Sequence, residues 1–194
     1  MLYYLVYINS NVYIMNKSKL SIFSNAMYKK ESLKYINKKL GDGWKLDKQN
    51  SKVNSKVFIK DNIVVVAFRG TVNLKDVKDD ISIITSREHL NRRWKRARNL
   101  ITKMNEKYKD GYKVYVTGHS LGGSLAEFGS RHTSNETIGF SRGNLKFNQK
   151  IKNPNYKDVY NKYDPISTLV GTHKGKSKQV KTKNLNKHSM ANFV

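Results

Sequence analysis

A serine framed by glycines is where this sequence can first be assigned chemistry. Lys113-Val114-Tyr115-Val116-Thr117, rich in β-branched and aromatic residues, runs into Gly118-His119-Ser120-Leu121-Gly122-Gly123. Ser124-Leu125-Ala126-Glu127-Phe128 follows as a helix start. Strand, sharp turn and helix form the setting in which such a serine becomes a nucleophile. At the tip of so tight a turn its backbone is strained and its hydroxyl projects above the sheet. A side chain two residues before or after Ser120 would collide across the turn, which accounts for Gly118 and Gly122. Gly123 then lets the helix pack closely on the strand. The first N–H groups of that helix point back towards the serine, where they can hold a developing negative charge. The competing reading is an ordinary glycine-rich turn between a strand and a helix.

A nucleophilic serine needs a base to take its proton and an acid to orient that base. Where a serine is presented in this way, the chain order is serine, acid, histidine. The downstream histidines are His132, His173 and His188. His119 adjoins the serine, so its ring is expected to point away into a packing or hydrogen-bonding role. His132 falls about three turns along the following helix, too far from the hydroxyl. His173 and His188 remain, and spacing does not choose between them. For the acid, Asp164 follows a strand candidate and precedes Pro165, at the strand end where catalytic groups of open α/β sheets gather. Asp158 opens the same strand and is expected at the wrong end.

Elements that would position these groups follow from the periodicity. Residues 2–8 and 12–15 alternate loosely and suit a strand or hairpin. Between Leu20 and Leu40, Phe23, Met27, Leu33, Ile36 and Leu40 suit one or two helices, stopped by Gly41-Asp42-Gly43. Val57–Lys60 and Ile63–Phe68 flank Asp61-Asn62 as a hairpin. The second run is apolar throughout, as in a strand covered on both faces. Arg69-Gly70-Thr71 reads as a turn and precedes an acidic cluster, Asp76, Asp79 and Asp80. From Glu88 to Tyr108, Leu90, Trp94, Ala97, Ile101, Met104 and Tyr108 recur at helical spacing. Arg92, Arg93, Arg96, Lys103 and Lys107 form its other, solvated face. Thr137–Phe140 and Asp158–Asn161 are short strands separated by a loop with Pro154. The lysine-dense stretch from His173 to Lys187 suits a charged edge strand better than a phosphate-tracking arm. Alternating helices and strands predict an α/β fold: a central, mostly parallel (mixed) sheet flanked by helices. Residues 1–19 form an N-terminal extension and 20–194 a single domain.

Composition bounds the partners. The 194 residues include no cysteine, which removes disulfides, thiol chemistry and thiolate metal sites. A net charge of +24 attracts anions, nucleic acid or acidic lipid alike. Abundant Asn and Tyr point to a base-composition bias as the origin of that charge. No RNA-binding or helix-turn-helix motif supports nucleic acid as the partner. Met1–Ile8 is apolar but short and lacks a basic leader, and no run reaches the length of a membrane span. The expected location is the cytoplasm or a membrane surface.

Several motifs converge in order. Phe68-Arg69-Gly70-Thr71, Asp76, Asp80-Ile81, Val116–Gly123, Tyr163-Asp164-Pro165-Ile166 and His188-Ser189-Met190 together resemble the class 3 (fungal-type) lipases of the α/β-hydrolase superfamily. Asn25-Ala26-Met27-Tyr28 is similar to that family's N-terminal helix, so the resemblance covers about residues 20–194. It implies Ser120 as nucleophile, Asp164 as acid and His188 as base. It also implies an oxyanion hole from Thr71 and the backbone of Leu121, with Asp80 supporting the Thr71 loop. The implied activity is a serine carboxylester hydrolase, lipase or phospholipase in type, acting on acyl esters of lipids with no cofactor or metal. The alternatives are an acyltransferase with the same triad, or an inactive basic protein binding nucleic acid or an acidic membrane.

The sequence departs from that family in three places. The stretch between Asp80 and the helix bearing Leu90 is short, so little or no lid is expected. Val77 stands where the family often has Trp. Only six residues follow His188, and little C-terminal structure is expected to hold it. Together these suggest an open site acting on short or monomeric esters.

Overall fold

The computed structural model of the protein describes residues 15–71, 87–142, 153–164, 166–167, 176–181, 186 and 188–194. Several expectations lie outside the described residues: the strand or hairpin before Met15, Asp76, Val77, Asp79, Asp80, the lid segment and His173.

Ile63–Phe68 (β3) is the strand the sheet is built around, and every residue in it is buried. Its side chains alternate between two cores. Ile63, Val65 and Ala67 pack with Phe23, Ala26, Met27, Ile36 and Phe58 on one face. Val64, Val66 and Phe68 pack with Trp94, Ala97, Ile101, Met104 and Leu125 on the other. A strand covered on both faces has no reason to alternate polar and apolar residues, hence the continuous run.

The first face is covered by α1 (Lys17–Ala26) and α2 (Ser32–Leu40), so the predicted one or two helices are two. Asn16 caps α1 by accepting from the Lys19 N–H at 3.0 Å. Gly41, at φ +82°, ends α2 in a conformation that other residues rarely adopt. The second face is covered by α3 (Arg87–Lys107) and α4 (Leu121–Ser130). Trp94 of α3 stacks on Phe128 of α4 with ring centroids 4.7 Å apart. On the outer side of α3, Arg92, Arg96 and Lys103 are exposed and Arg93 is half-buried.

The sheet contains β1 (Lys45–Leu46), β2 (Ser55–Lys60), β3, β4 (Lys113–His119), β5 (Glu136–Phe140), β6 (Tyr156–Asn161) and β7 (Lys176–Val180). Their spatial order is their chain order. β1, β2 and β3 pair antiparallel, and β3 through β7 pair parallel, giving the mixed, mostly parallel sheet the sequence predicts. The β2–β3 hairpin turns through Asp61 at φ +50°. β7 lies at the edge with Ser177, Lys178 and Gln179 exposed, a charged margin that discourages pairing with another chain.

This topology brings the C-terminal ends of β3, β4, β5 and β6 to one side, where loop-borne groups collect. One strand position differs from expectation. Asp158 does not open β6, which begins at Tyr156; it is fully buried in mid-strand and ion-paired to Arg142 at 3.2 Å. Arg142 also meets Glu127 at 2.6 Å, and Glu127 meets Arg131 at 3.1 Å. Among the described residues no helix is long and apolar enough to cross a membrane.

Candidate active site

Ser120 lies between the end of β4 and the start of α4, with φ +57° and ψ −129°. Few non-glycine residues adopt such a backbone, and neighbouring contacts must hold it there. Its N–H donates to the Phe140 carbonyl at 2.9 Å, and its carbonyl accepts from the N–H groups of Gly123 and Ser124 at 2.9 and 3.2 Å. A Cβ on Gly118 would strike the Gly122 carbonyl across the turn, as expected. Gly122 is small for a different reason: a Cβ there would strike the Phe68 carbonyl at the end of β3.

Asp164 and His188 are brought together from different loops. The fully buried Asp164 carboxylate follows β6, and both its oxygens lie 2.9 Å from His188 Nδ1. Oδ1 also accepts from the Ile166 N–H at 2.9 Å, and Oδ2 accepts from the Ser167 hydroxyl at 2.8 Å. Burial pushes the Asp164 pKa up, but the hydrogen bonds from His188 and Ser167 outweigh it and hold the carboxyl below its ordinary value. A carboxylate can only accept, so Nδ1 of His188 carries the proton and Nε2 is left as the basic nitrogen. Nε2 is buried and has no hydrogen-bond partner among the described residues, the Ser120 hydroxyl included.

His188 is anchored by the residues that flank it. Its N–H donates to Asn186 Oδ1 at 3.2 Å. A 3₁₀ turn, Met190–Asn192, follows directly, capped by the Ser189 hydroxyl. Met190 is buried and Phe193 packs on Phe140 with centroids 5.4 Å apart. The expectation of little structure after His188 is therefore corrected: a few apolar contacts in the last turn secure it.

His119 has the hydrogen-bonding role expected of it, and it links three parts of the site. Its Nε2 lies 2.7 Å from the His188 carbonyl, and its Nδ1 lies 2.9 Å from the Tyr28 hydroxyl. A carbonyl cannot donate, so Nε2 must carry the hydrogen and Nδ1 must accept from Tyr28. The Tyr28 oxygen in turn accepts from the Gly70 N–H at 3.1 Å. The chain runs in one direction: Gly70 N–H to Tyr28, Tyr28 O–H to His119, His119 N–H to the His188 carbonyl. Burial, with His188 nearby, drives the His119 pKa down to about 3, so its ring is neutral near pH 7. Burial pushes the Tyr28 pKa up to about 12, so the hydroxyl keeps its proton. Tyr28 was noted in the sequence only as part of a helix motif. Its partner His119 is 91 positions away, and no local signal links them.

Gly70 brings the end of β3 against Ser120. A Cβ on Gly70 would lie 3.0 Å from Ser120 Cβ and 2.5 Å from the His119 carbonyl. Thr71 is the next residue along, and Leu121 opens α4 on the other side of the serine. Of the other histidines, His132 is exposed beyond α4. Asp80 and His173 are outside the described residues. No group of acidic or histidine side chains that could hold a metal occurs among the described residues.

Comparison with known proteins agrees with this architecture. The sequence matches the phospholipase-like Tle-like phospholipase domain over residues 7–173, a span that includes Ser120 and Asp164 and stops short of His188. No curated protein matches the sequence. Among solved structures, the chain is similar to a fungal lipase determined in complex with an inhibitor and described as a model for interfacial activation. That match has a TM-score of 0.58 at 15% identity and covers 83% of this chain and 77% of that one. It is also similar to a mutant of MDLA from Penicillium cyclopium, with a TM-score of 0.63 at 13% identity over 92% of this chain and 83% of the other. At such identities the structural likeness establishes the fold alone, an α/β fold with a mixed, mostly parallel sheet flanked by helices. By the family match over most of its length, the chain belongs to the Tle-like phospholipase domain family.

Proposed function

We propose that this protein hydrolyses carboxylic acyl esters of phospholipids through a covalent acyl-enzyme. Ser120 attacks the ester carbonyl as His188 Nε2 takes its hydroxyl proton, and Asp164 holds the resulting imidazolium. The carbonyl oxygen becomes an oxyanion, which the backbone N–H of Leu121 and the N–H and hydroxyl of Thr71 stabilise. The C–O bond to the lysophospholipid breaks, and His188 returns the proton to the departing oxygen. Water, deprotonated by the same imidazole, then attacks the acyl-enzyme, releases the fatty acid and restores the Ser120 hydroxyl.

One observation carries this reading: a buried imidazole is held by both oxygens of Asp164, its ring centroid lies 4.8 Å from that of His119, the residue before Ser120, and its other nitrogen has no hydrogen-bond partner among the described residues. Imidazole basicity is costly to bury without a partner, so the free Nε2 fits a group waiting for a proton. Closing on the serine hydroxyl when substrate binds is normal for such pairs, whose bonds are often long in the free enzyme.

The test is hydrolysis of a nitrophenyl ester and of phospholipid by wild type and Ser120→Ala. The variant is expected to keep its fold and lose at least about 1000-fold in kcat. Equal turnover by the two proteins would remove Ser120 from the mechanism.

A further inference from the structure

On the α1–α2 face, at the same end of the sheet as Ser120, lies a cleft of about 710 Å³. Among the described residues its charged lining is basic: Lys29, Lys30, Lys48, Lys52, Lys56 and Arg69. Two described carboxylates close in sequence to lining lysines have other partners. Asp47 is turned to Lys107 at 2.8 Å and Asn50 at 2.8 Å, and Glu31 to Lys34 at 3.4 Å.

The back wall brings two cations onto one face by strand register. Lys56 of β2 pairs with Ala67 of β3, and Arg69 stands two residues beyond Ala67, so both side chains share the α1–α2 side. Lys56 is half-buried and reaches Ser32 Oγ at 2.6 Å. The Arg69 guanidinium lies over the Tyr28 ring, 5.8 Å from its centroid, and its buried Nε has no hydrogen-bond partner among the described residues. Burial chiefly, and then the Arg69 charge, lowers the Lys56 pKa. Such an arrangement is unfavourable alone and becomes favourable when an anion enters, because a guanidinium and an ammonium together match the oxygens of a phosphate.

The cleft adjoins the site. Arg69 leads through Gly70 into Thr71, and Tyr28 lines the cleft while bonding both Gly70 and His119. A phosphate held by Arg69 and Lys56 would sit a few bonds from an ester carbonyl at Ser120, as in a glycerophospholipid. We propose that this cleft binds the phosphate of a phospholipid headgroup and confers a preference for anionic over zwitterionic lipid. The preference rests on the hydrolase reading above; the binding site does not.

Binding is measured on the full chain carrying Ser120→Ala, so that lipid is not consumed, using vesicles of phosphatidylcholine with and without phosphatidylglycerol. Adding Lys29→Ser, Lys52→Ser and Arg69→Gln is expected to weaken binding to the anionic vesicles about 100-fold, since each basic residue at such a surface contributes about fivefold. Lys38→Ser, Lys39→Ser and Lys109→Ser remove equal charge at the opposite end of the sheet and are expected to cost less than about tenfold. Equal losses from the two sets would overturn the proposal, because the charge would then act without a site. Saturable binding of inorganic phosphate that needs the same three residues, with no vesicle binding, would make the ligand free phosphate and overturn the headgroup assignment. Lys29→Ser with Lys52→Ser in the active enzyme is expected to erase the preference for hydrolysing phosphatidylglycerol over phosphatidylcholine, and an unchanged preference would overturn the proposal. If no ester is turned over but vesicle binding still depends on the cleft, the hydrolase reading fails and the binding site stands.

Discussion

The His119 imidazole donates to the backbone carbonyl of His188 at 2.7 Å, so the residue before the serine holds the main chain of the histidine proposed as base. Two groups 69 positions apart are thereby fixed to one another without using either reactive nitrogen of His188. By donating to the other nitrogen, Tyr28 favours the neutral tautomer of His119 that can do this.

Tyr28→Phe removes that donor and also leaves the Gly70 N–H without its acceptor. The expected cost is about 1–3 kcal/mol of stability by denaturant unfolding. A fall of about tenfold in kcat with little change in KM is also expected, because the loss loosens Gly70 and His188 and removes nothing that binds ground-state substrate. A change confined to KM would contradict this.

Asp164→Asn keeps the shape of the side chain but removes the charge and the fixed tautomer of His188. By analogy with acid-to-amide changes in serine triads, kcat is expected to fall about 10⁴-fold. A fall under tenfold in a steady-state assay would mean that Asp164 does not orient the base.

Acid sensitivity follows from His119. Unfolded, its imidazole takes up a proton below about pH 6.5; folded, it stays neutral down to about pH 3. The unfolded state then binds more protons, so stability is present above pH 6.5 and is lost as pH falls. From this residue alone the protein is expected to be about 2 kcal/mol less stable at pH 5 than at pH 7. His119→Gln should remove that part of the difference, measured by urea unfolding at both pH values.

Arg142 is 2% exposed and holds two buried carboxylates, Glu127 and Asp158. Arg142→Met would leave both without their shared cation, at an expected cost of about 3–5 kcal/mol. Thermal unfolding of the variant checks this, and a change below about 1 kcal/mol would show the cluster to be dispensable for stability.

Gly70→Ala would place a methyl group 2.5 Å from the His119 carbonyl and 3.0 Å from Ser120 Cβ. Backbone on one side leaves it no room, so the end of β3 must move away from the serine. A loss of at least about 100-fold in kcat/KM with a modest stability change is expected. Retained activity would mean that Gly70 and Thr71 do not shape the oxyanion site.

Local pattern in the sequence determined the parts that depend on neighbours in the chain. The apolar run of β3 and the three- and four-residue spacing of Trp94, Ala97, Ile101 and Met104 marked buried elements, because burial acts residue by residue. The glycines around Ser120 announced a strained turn for the same reason. Asp164 was legible from its place at a strand end, whereas choosing His188 over His173 required a family resemblance.

Tertiary structure decided what depends on groups distant in sequence. That Gly122 is small because β3 passes over it, that Tyr28 reaches His119, and that Met190 and Phe193 anchor the last turn are all consequences of packing between separate elements. The meeting of Lys56 and Arg69 in one cleft belongs with them, since composition records how many charges a chain carries and only the fold decides which of them face one another.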